Sequence, residues 1–200
     1  FSRRDRILFG VPAHYWLDPA FWVWRAARLR ERWSGRRQRS GNIPARPEQV
    51  FLLLMDPRHL LVARVVRAAR AAHVLDVGCG YGATAVFLAQ FGAFRPPAPS
   101  VTGIDIAWKG VRAGFVISRG LGLRTRWAVG DGRRLGVRAQ AFDVVLAVRF
   151  LSEFDRDVDA VAALREAMRS ARRYVVFLEE TFRTPWTFPR DHRPVLEAAG

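Results

Sequence analysis

Val74-Leu75-Asp76-Val77-Gly78-Cys79-Gly80-Tyr81-Gly82 is the stretch that decides how this chain is read. Val74 to Val77 form a short apolar run that predicts a buried strand, and three alternating glycines follow it. Beyond them, Val86, Phe87, Leu88 and Phe91 are the apolar residues of a helical pattern. A glycine-rich turn between strand and helix lets backbone approach a ligand closely and aims helix N–H groups at it. Asp76, two residues before the first glycine, has no obvious use at a phosphate site. A cationic ligand gives it one.

Strand and helix alternate on both sides of this stretch. Upstream, Asp56-Pro57 predicts a helix start, with Leu60, Leu61, Val65, Val66 and Ala69 as its apolar residues. Downstream, a loop with Pro96, Pro97 and Pro99 precedes a second predicted strand over 101–106. A helix over 108–119 follows, closed by Gly120 and Gly122. Further strands are predicted over 124–129, 142–148 and 174–178, with a helix over 157–170 before the last. Continuously apolar strands joined by helical crossovers imply an α/β fold with a doubly wound, mostly parallel sheet. Ligands of such sheets bind at the carboxyl ends of the strands. Asp76, Asp105 and Asp131 all fall there.

Gly78, Gly80 and Ala83 also satisfy the dinucleotide pattern G-x-G-x-x-G/A, and Asp105 stands where the ribose acid of that pattern belongs. An NAD-binding oxidoreductase is therefore an alternative. Against it, Asp76 would set a carboxylate beside a pyrophosphate, and the third glycine is Gly82. The pattern resembles the class I S-adenosylmethionine-dependent methyltransferases, whose acid-x-G-x-G-x-G motif is matched by residues 76–82. The resemblance covers roughly residues 57–200 and implies a Rossmann-like domain with S-adenosylmethionine as cofactor and no metal. It implies that Asp76, Gly78, Cys79, Gly80 and Gly82 hold the methionine end, where Val148 also belongs. By the same resemblance Asp105, with Ile106 beside it, takes the ribose hydroxyls, while Asp131 and Gly132 meet the adenine. The ammonium and sulfonium of this cofactor supply the positive charge that Asp76 calls for. Cys79 sits between two glycines, where a small residue is needed.

Two hundred residues, half of them hydrophobic, suffice for one α/β domain. We assign residues 47–200 to it and residues 1–46 to a Trp- and Arg-rich arm. The arm holds four of the seven tryptophans and eleven arginines against three acids. Asp18-Pro19 predicts a helix start there, with Trp22, Ala26, Leu29 and Trp33 on one stripe and Arg25, Arg28 and Arg32 on another. We read the arm as a helical cap over a substrate pocket. A core helix with a solvated arginine face and a peripheral membrane contact are the alternatives.

The net charge of +15 is nearly all arginine, Lys109 being the only lysine, and the arginines are scattered along the chain. A GC-rich coding sequence explains this skew better than a nucleic-acid surface does. The longest aliphatic run, residues 50–55, is far short of the about 20 apolar residues that span a bilayer. One cysteine fits a reducing compartment, and we expect a cytoplasmic protein. The chain opens on Phe1 rather than Met and stops just after a predicted helix end at 195–200. The natural start, and the strand pair with which family domains end, are therefore expected outside it. That would leave the fifth strand as an open apolar edge.

Methyl transfer from a sulfonium is an in-line displacement in which alignment of acceptor and methyl does most of the work. A general base is needed only when the acceptor must lose a proton. Glu153, Glu179, Glu180 and His14 are the candidates. Family members that methylate base amino groups carry an Asn/Asp-Pro-Pro-aromatic motif where this chain has Val148-Arg149-Phe150-Leu151-Ser152-Glu153. The expected substrate is a small, partly apolar molecule beneath Trp16, Trp22 and Trp24. RNA or protein methylation through the basic surface is the runner-up, and a non-catalytic binding module comes third.

Overall fold

The computed structural model describes residues 7–8, 11–12, 57–92, 98–179 and 191–200. The quoted strand, β3 (His73–Val77), is the centre of a five-stranded sheet. On one side lie β4 (Ser100–Asp105) and then β5 (Thr125–Val129), and on the other β6 (Phe142–Val148) and then β7 (Ala171–Leu178). All four pairings are parallel, as the apolar strand runs required. Two-residue strands β1 (Ile7–Leu8) and β2 (Val11–Pro12) form a separate antiparallel pair. The arm helix expected from Asp18, the aliphatic run 50–55, His14 and Glu180 lie outside the described residues.

The helices are α1 (Pro57–Ala68), α2 (Ala83–Gly92), α3 (Trp108–Gly120), α4 (Asp157–Ser170) and α5 (His192–Ala199). None of them is long and apolar enough to cross a membrane. Side chains alternate across a strand, so β3 serves two cores. Val74 packs with Val62 and Val66 of α1 and Phe87 of α2, while Leu75 and Val77 pack with Leu164 of α4 and Val195 of α5. Asp76 therefore falls on the α1–α2 face of the central strand.

The last strand begins at Ala171 rather than at the expected residue 174, and α4 runs into it without an intervening residue. Arg172 and Arg173 disguise this start, because two cations read as loop. Tertiary partners hold both: Arg172 donates to Asp143 Oδ1 at 2.7 Å, and Arg173 donates to the Ala69 carbonyl. Asp143 Oδ2 meanwhile accepts from the Ala72 and His73 N–H groups at 2.8 and 2.9 Å. One carboxylate thus ties together the starts of β3, β6 and β7. As the outer strand of this sheet, β7 presents Arg172, Arg173 and Tyr174 to solvent in its first half. The exposed edge is basic there instead of apolar.

Trp127 of β5 fills the space beneath α3. A Cβ on Gly103 or Gly114 would lie 2.6 Å from its ring, and one on Gly82 would overlap it. The indole N–H fixes the ring by donating to Ser118 Oγ at 3.0 Å and Thr125 Oγ1 at 2.8 Å. Gly→Ala in a helix interior ordinarily gains about 1 kcal/mol. At Gly114 we expect a loss of about 1–3 kcal/mol from overpacking, measured as a lower urea midpoint. The loss should shrink in a Trp127→Leu background, since the two sites share one contact. A stabilised Gly114→Ala single variant would show that the ring yields freely.

Candidate active site

The loop after β3 takes its path from three positive φ angles, +67° at Gly78, +52° at Gly80 and +78° at Gly82. Its backbone is tied to the next strand: Gly78 N–H and Cys79 N–H both donate to the Ile104 carbonyl, at 2.8 and 3.1 Å. The glycines differ in what surrounds them. A Cβ on Gly78 would overlap the Phe150 ring, whereas one on Gly80 would meet nothing within 4 Å among the described residues. Gly80 is where the loop faces open space.

Three acids at the strand ends sit in three different states. Asp76 is 2 % exposed, and its Oδ2 has no hydrogen-bond partner among the described residues. Burial pushes its pKa up to about 7, the Ala85 N–H opposing and the Asp105 charge adding to the rise. Asp105 is bonded to backbone, Oδ2 accepting from Gly80 N–H and Oδ1 from Ala107 N–H, each at 2.7 Å. Asp131 is ion-paired. Arg133 donates to both of its oxygens, at 2.7 Å from Nη2 and 3.1 Å from Nε, and the Arg133 N–H adds a bond at 2.9 Å. These bonds from Arg133 hold the Asp131 carboxyl below the usual range. Arg133 also reaches Asp159 of α4 at 3.1 Å.

A cavity of about 670 Å³ opens over the strand ends. That volume suits a nucleoside-sized ligand. Of the residues expected to hold the cofactor, Asp76, Gly78, Cys79, Gly80, Asp105, Ile106, Asp131, Gly132 and Val148 all line it, and Gly82 does not. Gly82 is turned to Trp127. Burial, then the charges of Asp76 and Asp105, push the Cys79 thiol up, so it stays protonated.

Among the candidate bases Glu153 lines the cavity, and Glu179 is absent from the lining. The Glu179 carboxylate accepts three backbone N–H groups, those of Phe150, Leu151 and Ser152. His59 and Arg58 of α1, Arg149, Phe150 and Phe154 also line the cavity. They were missed from sequence because no motif surrounds them: Arg58, His59, Arg149 and Phe150 sit among apolar and basic residues, and Phe154 is a lone aromatic between Glu153 and Asp155. The signal available for Phe150 was its place two residues beyond a strand end. No cluster of His, Cys, Asp and Glu able to hold a metal ion occurs among the described residues.

S-adenosylmethionine fits these residues on one observation above all. An ionised buried carboxylate oxygen can only accept, so left without a partner it is stabilised by a cation, and Asp76, whose Oδ2 is such an atom, lines the cavity together with Gly80. The NAD alternative would instead bring a pyrophosphate to that oxygen.

Comparison with known proteins agrees. The family model described as a methyltransferase domain matches residues 74–173. A SAM dependent methyltransferase from Aquifex aeolicus is 20% identical over 74% of this chain and 81% of its own, with a TM-score of 0.56. The PH0226 protein of Pyrococcus horikoshii OT3 is 19% identical over 70% and 57%, with a TM-score of 0.56. The [4+2]-cyclase SpnF is 23% identical over 68% and 56%, with a TM-score of 0.53. At such identities these likenesses show the fold alone. The chain spans about half the length of several solved structures it resembles, 45%, 56% and 47% of them. No curated protein matches it. Because the family match extends over half of the chain, from the strand before the glycine loop into the last strand of the sheet, the protein belongs to the class I S-adenosylmethionine-dependent methyltransferases.

Proposed function

We propose that the protein transfers the methyl group of S-adenosylmethionine to a small, partly apolar acceptor. The observation that carries the cofactor side is the unpartnered, buried Oδ2 of Asp76, a residue that lines the same cavity as Gly80 and Asp105. The acceptor side is supported by the wall of Val148, Phe150 and Phe154, the two phenylalanines packing edge to face with centroids 5.2 Å apart. Such a wall admits an apolar molecule and excludes water.

When bound, the cofactor supplies an activated methyl group for in-line displacement. The protein's part is then mostly placement. Asp105 uses one lone pair of each oxygen on backbone N–H groups, which leaves one on each for a ribose diol. Glu153 of the 3-10 turn Leu151–Glu153 and His59 of α1 are cavity groups, outside the set assigned to the cofactor, able to take a proton from an acceptor that must lose one. The single cysteine suits a reducing compartment, and we place the activity in the cytoplasm.

A second reading, an RNA or protein acceptor, draws on Arg58, Arg133 and Arg149 in the cavity wall. Salt separates the two. A nucleic-acid acceptor held by several phosphate contacts should lose about a thousandfold in affinity between low and moderate salt. Turnover of a small apolar acceptor, followed by transfer of a labelled methyl group, should change little.

Asp105→Ala should weaken S-adenosylmethionine about 100-fold in calorimetry, roughly 3 kcal/mol, because it frees the Gly80 N–H as well as losing the diol. Unchanged affinity would refute the site. Asp76 gives a pH signature. In the free protein the folded state keeps a proton between about pH 4 and about 7 that the unfolded chain has lost, so stability falls as pH rises through that window. A cation bound beside it reverses the preference. S-adenosylmethionine should therefore bind more tightly as pH rises through about 7 and release a proton below it. The release should show as an enthalpy that varies with buffer, and it should be missing in Asp76→Asn. Its persistence in that variant would assign the titration to another group.

A further inference from the structure

Four consecutive backbone N–H groups converge on the end of β7. Arg149 N–H donates to the Leu178 carbonyl at 2.8 Å. Phe150 and Leu151 N–H donate to Glu179 Oε1 at 3.0 and 2.8 Å, and Ser152 N–H donates to Oε2 at 3.1 Å. The backbone makes the concavity itself. Arg149 is left-handed at φ +55°, and Phe150 follows in the right-handed region at φ −108°, ψ −45°. That alternation curls successive N–H groups toward one point and builds a nest for an anion. A non-glycine residue in the left-handed region is strained and persists only where its surroundings impose it. Here the carboxylate in the nest does so.

Glu179 does not reach the cavity, but Phe150, in the same turn, does. The Phe150 ring occupies the place of a Cβ on Gly78 and of one on Gly132. It therefore wedges between the loop after β3 and the loop after β5, the two loops on which the cofactor's methionine and adenine ends depend. Both oxygens of Glu179 are engaged by backbone donors, so its role is to hold that wedge.

We propose that Glu179 is a positioning residue for the cofactor. By keeping residues 149–152 curled, it holds Phe150 against Gly78 and Gly132 and sets the spacing of the two loops that bind S-adenosylmethionine. This rests on the cofactor reading above and adds to it a residue outside the site.

The test is a double-mutant cycle by calorimetry on the full chain, with S-adenosylmethionine and S-adenosylhomocysteine as probes and thermal midpoints measured alongside. Glu179→Gln and Phe150→Ala should each weaken both probes about tenfold to a hundredfold. The double variant should be no worse than the weaker single one, because both changes remove the same wedge. Glu179→Asp keeps the charge but is one methylene short of all three N–H groups. It should lose several-fold and carries the test if the Gln variant does not fold. A Glu179 variant with a lowered midpoint and wild-type affinity would reduce the residue to a stability role and overturn the proposal. So would losses that add independently to those of Phe150→Ala. Wild-type protein that binds neither probe would overturn the cofactor reading and this proposal together, whereas tight binding that survives Glu179→Gln overturns this one alone.

Discussion

Backbone packed bare against two aromatic rings is the constraint on which the carboxyl end of this sheet depends. The Trp127 ring stands where side chains on Gly82, Gly103 and Gly114 would be, and the Phe150 ring stands where side chains on Gly78 and Gly132 would be. From a third side α3 presses its backbone on the loop, so that a Cβ on Gly110 would lie 2.6 Å from the Gly80 carbonyl. Close-packed interiors transmit such contacts with little give. A loop that looks permissive in composition is in fact confined on every side but one. Gly80 faces that one open side, and the cavity lies there.

The sheet was legible because it depends on local pattern. Parallel strands buried on both faces read as apolar runs, and the glycines and acids at their ends mark where each run stops. The start of β7 was not legible, since Arg172 and Arg173 satisfy themselves on Asp143 and on the Ala69 carbonyl, partners far away in sequence. Phe150 and Trp127 escaped notice for the same reason. An aromatic residue shows its size in a sequence, while the glycines it replaces are scattered over tens of positions and meet only in the fold.

The three acids show how far one residue type can diverge in role. In sequence, Asp76, Asp105 and Asp131 are three equivalent marks at three strand ends. In the fold the first is buried and unpartnered, the second binds backbone and the third is matched to Arg133. A few of the arginines are likewise matched to nearby acids. Arg133 and Arg156 share Asp159, Arg169 pairs with Glu166, and Arg193 pairs with Asp191. Exposed pairs of this kind contribute little to stability. Each cancels one positive charge locally, while the chain as a whole keeps its net charge of +15.

The direct passage of α4 into β7 has a mechanical meaning. Residues 157–178 form one uninterrupted helix and strand. Near its beginning Asp159 grips Arg133 at the rim where Asp131 stands, and just past its end Glu179 grips the turn that carries Phe150. The helix leads away from the carboxyl ends of the strands and the strand leads back to them, so both contacts hang on one hairpin with no loop at its bend to absorb an error. A residue added within the strand would shift it by one register step and swing Glu179 to the opposite face of the sheet, leaving the turn that carries Phe150 without its anchor.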